Sequence, residues 1–457
     1  MAVKHVTSGH ATVVRDHRAP AGFCAARGTW RLQIGAPMVK WKSAADRLAG
    51  EVTHPISRWR PAVGAVPRHL FVPRWWERAG PGAGFGASTW KLCDGPAEPD
   101  AWIRAAYADR ALVTRVGLLH ADHATPDDQP AGVPTSSAIA PGLVVRMLRH
   151  ARLTDDADVL EVGAGTGYCA AVLCERVGYR QVTTIEADPY LAKAASERLA
   201  GIGLHPRVAH ADVSGPPPGH YDRIASMLGV SPVPASWLAA LRPQGRLVTP
   251  IAGTMLILTA DKTPDGGAAG RTEWDRGAFM PAEADPGAPQ IPAAVFGAAR
   301  EADGEQVGPG RYPVIDVARS WDLCSALGLL VPGVQHDFAV TADGRRTAWT
   351  VHPDGSWARA TGTGDAPPIV HQSGPRRLWD MLDGIRLDWL RNGSVPGYGA
   401  RATVAPDGSI CLRHGHWHAT LPAVAAGPPP PATGHAEQAA PGAIPQAIVT
   451  RPGPQSS

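Results

Sequence analysis

One segment constrains the fold of this chain more than any other: residues 158–170, which read DVLEVGAGTGYCA. A short apolar strand pattern is followed directly by three glycines at alternate positions and then by helix-forming residues. A helix that begins right after a strand exposes free backbone N–H groups, and glycines let a ligand approach the main chain closely. The segment therefore predicts a ligand-binding loop between a strand and a helix.

The residues around this loop predict an α/β fold with a doubly wound, Rossmann-like sheet. Between Pro141 and about Ala260 the order reads helix, strand, helix, strand, helix, strand, strand, helix, strand. Short apolar strands that alternate with helices are typical of a largely parallel sheet covered on both faces. The predicted strands are Val159–Val162, Val182–Ile185, Pro206–Ala209, Arg223–Ser226 and Arg246–Thr249.

The pattern changes after about Gly308. Alternating segments with Asp-Gly turns, at Pro353–Ser356 and again at Pro406–Ser409, predict β-hairpins. Between them an amphipathic helix carries Leu378 and Leu382 on its apolar side and stops at Asn392-Gly393. These features predict an additional C-terminal α+β domain.

Length and composition set the predicted division of the chain. With 457 residues the chain exceeds the ~250–300 residues at which a single core stops growing, so we expect at least two folded units. The first forty or so residues show no clear period, and the segment from Gly427 onward is rich in proline, alanine and glycine, so disorder is predicted for both. The predicted units are a disordered start (1–40), an N-terminal helical or lid region (41–125), the α/β domain (126–285), a linker (286–310), the α+β domain (311–425) and a disordered tail (426–457).

Charge and cysteine usage exclude several classes of protein. The formal charge is +3, from 44 basic and 41 acidic residues, which gives no dense basic field for nucleic acid. No stretch approaches the ~18 apolar residues that a membrane span needs, and the N-terminus lacks a signal-peptide pattern. The six cysteines are scattered without a CxxC pair, which favours a reducing, cytoplasmic setting. The sequence leaves the oligomeric state open.

Acidic residues near the ends of successive strands narrow the ligand class. The third glycine of a dinucleotide fingerprint would fall at Tyr168, which weakens the nicotinamide interpretation. Glu186 can accept both ribose hydroxyls, Asp212 can accept from an adenine amino group, and Glu161 would face the cationic end of an aminoacyl sulfonium cofactor. The alternative is a plain strand-to-helix turn with exposed loop charges. The residues predicted to bind S-adenosyl-L-methionine are Glu161, Gly163, Ala164, Gly165, Thr166, Gly167, Glu186, Ala187, Asp212 and Val213.

From Val66 to about Pro250 the chain resembles the protein-L-isoaspartate O-methyltransferase family. The matching pieces stand in the family's order and include VPRHLFVP, PTSSAIAPGLVVRML, DVLEVGAGTGYCAAVL, IEADPYLAKAASERL and LRPQGRLVTPI. The resemblance implies an S-adenosyl-L-methionine-dependent enzyme that methylates the free carboxylate of an isoaspartyl or aspartyl residue in a peptide or protein.

The chain departs from the family in two places. It inserts LLHADHATPDDQPAGV at residues 118–133, and Ala138-Ile139 follow Ser137 where the family has Gln-Pro or Ala-Pro. With its C-terminal domain, the chain resembles actinobacterial-type homologues associated with ribosomally made, modified peptides. That resemblance implies esterification of an aspartate in a precursor peptide, leading to a succinimide or isoaspartate. General isoaspartyl repair is the alternative.

The acceptor chemistry requires little from the protein beyond positioning. An aspartyl carboxylate has a pKa near ~3.9, so at neutral pH it is already an ionised nucleophile and needs no general base. Ser137 is predicted to donate a hydrogen bond to that carboxylate. The alternative is that Ser136 or Ser137 caps the helix that begins near Pro141.

Two further hypotheses about function stay open at this stage. A small-molecule methyltransferase with an added domain fits the glycine loop, and so does a non-catalytic homologue that only binds a peptide. His414, His416 and His418 would share one face of a strand, but no nearby cysteine or carboxylate completes a ligand set. No metal site is therefore predicted.

Overall fold

A computed structural model of the chain describes residues 38–81, 88–280, 291–393 and 397–423. The predicted disordered tail (426–457) lies outside these ranges. So does the predicted disordered start (1–40), apart from residues 38–40, which open the first helix. Within the described ranges, no helix is long and apolar enough to cross a membrane.

The N-terminal region contains an antiparallel sheet as well as helices, which corrects the prediction of a helical region at 41–125. The sheet has the order β4-β3-β1-β2-β5, and β6 pairs with β3. Four of its six strands have five residues or fewer, so these strands carry little periodic signal. The elements are α1 (Met38–Val52), α2 (Trp59–Ala65), β1 (Arg74–Pro81), β2 (Ser88–Asp94), α3 (Pro99–Ala106), β3 (Leu112–Val116), β4 (Leu119–His120), β5 (Ala131–Gly132) and β6 (Pro134–Ala138).

The predicted alternation of helices and strands is confirmed in the central α/β domain. All five predicted strands are present: β7 has the predicted ends, and the ends of the other four differ from the prediction by at most five residues. The elements are α4 (Pro141–His150), β7 (Val159–Val162), α5 (Tyr168–Val177), β8 (Val182–Glu186), α6 (Pro189–Gly201), β9 (Arg207–His210), β10 (Tyr221–Ser226), α7 (Ala235–Ala240), β11 (Leu241–Pro250), β12 (Leu256–Lys262) and β13 (Ala268–Arg276).

The five strands β9-β8-β7-β10-β11 are parallel to one another, and β12 and β13 continue the sheet in antiparallel pairing. The chain winds from β7 to β8 and β9 on one side, then returns to β10 and β11 on the other. Open α/β sheets bind ligands at such a reversal, beyond the carboxyl ends of the strands. All four residues of β7 are buried, so this strand fixes the position of the glycine loop that follows it.

The C-terminal region contains the predicted α+β domain. Its antiparallel sheet has the order β14-β18-β17-β16-β15, and its long helix ends at Gly393, which has the left-handed φ of 71° that favours glycine. The elements are α8 (Ala293–Glu301), β14 (Gln306–Pro309), α9 (Trp321–Leu330), β15 (Gln335–Val340), β16 (Arg345–Val351), β17 (Trp357–Thr363), β18 (Ile369–Ser373) and α10 (Leu378–Asn392).

The boundaries of this domain differ from the predicted ones. The predicted linker (286–310) contains α8 and β14, and the last three strands of the predicted 311–425 unit belong to the central sheet. These strands are β19 (Arg401–Val404), β20 (Ile410–His414) and β21 (Trp417–Leu421). Because β19 pairs with β13, the central sheet grows to ten strands and its antiparallel edge is covered.

The three C-terminal histidines do not share the face of one strand. His414 ends β20, His416 lies in the turn, and His418 belongs to β21. The Gly415-His416 turn reverses the chain between them, which corrects the single-strand expectation. Among the described residues, no group of three His, Cys, Asp or Glu side chains is placed to hold a metal ion.

The return of β19–β21 to the central sheet leads to a stability prediction. Leu412 is fully buried in one core cluster with Trp237 and Leu258 of the α/β domain. We expect Leu412→Ala to reduce the free energy of unfolding by about 2–5 kcal/mol and to speed amide exchange in β12 and β13. Thr403→Ala, on the exposed face of β19, is the control and should change neither quantity. Unchanged exchange in β12 and β13 of Leu412→Ala would show that the hairpins are energetically separate from the sheet.

Candidate active site

The glycine loop leaves β7 and enters α5 through a backbone that glycine favours. Gly163 and Gly165 have φ values of 88° and 52°, in the left-handed region. The N–H groups of Gly163 and Ala164 both donate to the carbonyl of Ile185, which anchors the loop to β8. A β-carbon added at Gly165 would have one neighbour within 4 Å, the backbone oxygen of Ser137 at 3.9 Å. The space above Gly165 therefore separates the loop from β6.

Glu186 holds the loop from the end of β8. Its Oε2 accepts the N–H of Gly165 at 2.8 Å, and its Oε1 accepts the N–H of Asp188 at 3.1 Å. Burial raises the pKa of this carboxyl, and the backbone N–H groups of Gly165 and Asp188 oppose that rise. Two oxygens held in one plane by main-chain donors present their remaining lone pairs in a fixed direction.

Glu161 is fully buried at the end of β7. Neither of its oxygens has a hydrogen-bond partner among the described residues, and burial raises its pKa to about 7. This value includes opposing effects of nearby groups: the Cys169 and Thr184 side chains lower the pKa, although neither completes a hydrogen bond to the carboxyl, and Glu186 contributes to the rise. A buried carboxylate without donors is costly, so these oxygens fit a cationic ligand group that supplies donors. This observation favours a cofactor with an ammonium group.

The remaining predicted cofactor residues occupy the loop and the ends of the next strands. Ala164 and Thr166 are buried within the loop, and Ala187 is exposed beside Glu186. Asp212 follows β9, and its Oδ1 accepts from both the N–H and the hydroxyl of Ser214. Val213 is buried in a core cluster, and its carbonyl accepts from Trp237 Nε1 at 2.7 Å.

Ser137 lies on β6, opposite Val113 of β3, and is half-buried. The alternative that a serine caps α4 is wrong, because the N-cap is Ala140 and the N–H of Gly142 donates to Asp109 Oδ1 instead. The Ser136 hydroxyl is buried and accepts from Thr114. Neither serine therefore caps α4, and Ser137 is the one whose backbone oxygen lies next to the glycine loop.

Sequence reasoning missed two sets of residues at this site. A β-carbon at Gly163 would lie 2.8 Å from Leu228 Cγ, so Leu228 covers the loop from the end of β10. Arg115 and His120 both reach Asp188, directly beyond Glu186. The position of Leu228 after the fourth parallel strand was a usable signal, whereas the pairing of Arg115 with Asp188 spans 73 residues and leaves no local pattern.

Comparison with known proteins bears on the identity of this site. The family model for protein-L-isoaspartate(D-aspartate) O-methyltransferase matches residues 113–283. A protein-L-isoaspartate O-methyltransferase of Ignicoccus hospitalis is 36% identical over 152 residues, which cover 32% of this chain and 72% of that protein. One of Hyperthermus butylicus is 32% identical over 186 residues, covering 36% and 77% of the two chains. The chain belongs to the protein-L-isoaspartate O-methyltransferase family.

Other relatives match a smaller part of their own length. The protein-L-isoaspartate O-methyltransferase of Brucella anthropi is 32% identical over 139 residues, and the chain spans 63% of it.

A solved structure of a protein-L-isoaspartate O-methyltransferase aligns over 83% of this chain and 98% of its own, with a TM-score of 0.42 and 17% identity.

Membership of the family confirms the predicted fold class and the predicted enzyme class, an S-adenosyl-L-methionine-dependent carboxyl O-methyltransferase. The matched residues include the glycine loop, the three carboxylates and the insertion at 118–133. The match ends at residue 283, so the α+β domain and β19–β21 of this methyltransferase lie outside it.

Gly165→Val tests the placement of the cofactor. The substitution strains a left-handed backbone position and puts a branched side chain into the space above the loop, so we expect S-adenosylhomocysteine affinity to fall at least ~100-fold in calorimetry. Gly203→Val is the matched control, because Gly203 has a φ of 80° and no neighbour within 4 Å of an added β-carbon. The control should keep the affinity, and unchanged affinity in Gly165→Val would refute the placement.

The raised pKa of Glu161 predicts a pH dependence of cofactor binding. The pKa of Glu161 is about 7, so at a pH below 7 this carboxyl is mostly neutral in the folded protein. A neutral carboxyl cannot form an ion pair with an ammonium group. We therefore expect S-adenosylhomocysteine affinity to weaken as pH falls from 8 to 6, by up to about tenfold per unit below 7. Calorimetry at each pH measures this. Glu161→Gln should bind more weakly with a flat profile, and a flat profile in the unmodified protein would contradict the assignment.

Proposed function

We propose that this methyltransferase esterifies the side-chain or main-chain carboxylate of an aspartyl or isoaspartyl residue in a peptide or protein. The observation that carries the proposal is the approach of β6 to the glycine loop, with the Ser137 backbone 3.9 Å from the β-carbon position of Gly165. Relatives that share the matched region are named for isoaspartyl substrates. An acceptor held along β6 lies beside the space that the cofactor loop borders.

The residues around the loop match the parts of S-adenosyl-L-methionine, which supplies an electrophilic methyl group on a positively charged sulfur. In this proposal Glu186 accepts the ribose hydroxyls, and Glu161 accepts from the ammonium group. Asp212 Oδ2 takes no hydrogen bond from the described residues, which suits it to an adenine amino group. The glycines keep the main chain open to the ligand.

The acceptor side works by positioning rather than by proton transfer. An aspartyl or isoaspartyl carboxylate is ionised at neutral pH, so the nucleophile needs no base. The Ser137 hydroxyl donates to one carboxylate oxygen and thereby directs the other toward the loop. Correct orientation of two bound reactants can supply roughly 7–11 kcal/mol of the barrier reduction.

A structured peptide, such as a cyclised ribosomal precursor, is the more specific acceptor that we propose. The insertion at 118–133 adds β4 to β3 and β5 to β2, so it enlarges the sheet that carries Ser137. A wider acceptor sheet suits a folded peptide better than a short extended one. The free thiols of Cys93, Cys169, Cys174, Cys324 and Cys411 support a cytoplasmic location for such a reaction.

Two peptide sets test the proposal. The full chain is incubated with methyl-labelled cofactor and either linear peptides that carry one isoaspartyl residue or cyclised peptides that carry aspartate. We expect base-labile label, typical of a methyl ester, on at least one set and more on the cyclised set. Label confined to linear isoaspartyl peptides contradicts the structured acceptor, and label on neither set contradicts carboxyl methylation.

Ser137→Ala supplies the internal control for this experiment. Loss of one hydrogen bond to a charged acceptor should lower kcat/KM for the labelled peptide by about 10- to 100-fold, with S-adenosylhomocysteine affinity unchanged. Ser136→Ala is matched to it, because the Ser136 hydroxyl bonds to Thr114 within the sheet. Equal losses in the two variants would show that Ser137 has only a structural role.

A further inference from the structure

A largely buried group of one arginine, one histidine and one aspartate joins the sheet that carries Ser137 to the cofactor-binding domain. It consists of Arg115 on β3, His120 on β4 and Asp188 at the N-terminus of α6, here called the Asp188 cluster. Arg115 Nη1 and His120 Nε2 both lie 2.9 Å from Asp188 Oδ2. Their side chains are 11%, 10% and 17% exposed, so the cluster is largely shielded from water.

Asp188 is connected to the cofactor side by its own backbone. Its N–H donates to Glu186 Oε1, and Glu186 in turn accepts the N–H of Gly165. Its second carboxylate oxygen, Oδ1, accepts the N–H groups of Tyr190 and Leu191 and so caps α6. Glu186 and Asp188 are therefore joined directly by one hydrogen bond.

Arg115 is connected to the acceptor side by strand pairing. In the β3–β6 ladder Arg115 stands opposite Ser136, and Val113 stands opposite Ser137. A continuous line of contacts thus runs from Gly165 through Glu186, Asp188 and Arg115 to the strand that carries Ser137. Charge-assisted hydrogen bonds shielded from water are stronger than exposed ion pairs, so this line resists independent movement of its ends.

We infer that Arg115 and His120 are positioning residues that couple occupancy of the Glu186 site to the placement of the acceptor strand. The inference rests on the proposed function, because it assigns β6 to the acceptor and Glu186 to the cofactor. His120 belongs to the insertion at 118–133, so the insertion takes part in the coupling.

A second contact of the same insertion provides a matched control. Arg198 Nη2 and Tyr190 Oη both bond to Asp122 Oδ2, at 2.5 and 2.8 Å. The side chains of Arg198 and Asp122 are 14% and 20% exposed, close to the values in the Asp188 cluster. This contact also attaches the insertion to α6 but does not include Asp188. Loss of general attachment and loss of coupling can therefore be separated.

Hydrogen exchange with S-adenosylhomocysteine as the probe tests the coupling without any acceptor. In the unmodified protein and in Arg198→Met, we expect the cofactor product to slow amide exchange in β3 and β6 by about tenfold. In Arg115→Met and His120→Phe the product should still bind, but β3 and β6 should not respond. His120→Gln, which keeps a donor near the Nε2 position, should restore the response.

Each outcome decides one point. A full response of β6 in Arg115→Met overturns the inference, and loss of the response in Arg198→Met as well reduces it to general attachment. Label transfer to the peptides is measured in parallel on the same variants, where a coupling role lowers kcat/KM for the peptide about tenfold and leaves S-adenosylhomocysteine affinity within about threefold. A normal exchange response with no label transfer contradicts the proposed acceptor and leaves the coupling standing.

Discussion

The fold around the site depends on one carboxylate, Glu186, that ties the first two parallel strands of the cofactor domain to each other. Its oxygens accept the N–H groups of Gly165 and Asp188, and its backbone carbonyl accepts the N–H of Ala211 beyond β9. The loop after β7, the start of α6 and the end of β9 are all fixed relative to this residue. A ligand that binds Glu186 therefore lies beside all three of these segments.

Glu161 differs from Glu186 because its buried oxygens accept no hydrogen bond from the described residues. Its pKa is raised to about 7. Such a group lowers the stability of the ligand-free protein near neutral pH, since ionising it in a dry site is unfavourable. The sign follows from the raised pKa: its contribution to stability is present at acidic pH and is lost as pH rises through 7. In the proposed complex the ammonium group of the cofactor reverses this loss, so the same residue would affect both stability and cofactor recognition.

The sequence was informative wherever the signal is local. The strand at Val159–Val162, the loop at Gly163–Gly167 and the Asp-Gly hairpins each follow from a short period or from turn chemistry, and the structure confirms them. The pairing of β19 with β13 joins residues more than 120 positions apart, and no pattern within either strand specifies its partner. For the same reason, no local pattern in the sequence predicts the ion pair between Arg115 and Asp188. A long-range pairing is favoured because it buries apolar side chains from distant segments together, as it does for Leu412. That burial can be identified only once the fold is known.

The insertion and the added strands act on opposite sides of the cofactor domain. The insertion reaches α6 beyond β8, through Asp188 and Asp122, whereas β19–β21 extend the far antiparallel edge beyond β13. The parallel strands and the insertion lie inside residues 113–283, which the family model matches, whereas β19–β21 lie outside them. The glycine loop and Glu186 lie at the carboxyl ends of the central parallel strands, whereas β6, the proposed acceptor strand, belongs to the separate N-terminal sheet. Under the proposed function, a change in the N-terminal sheet therefore alters the acceptor side while the loop and Glu186 stay unchanged.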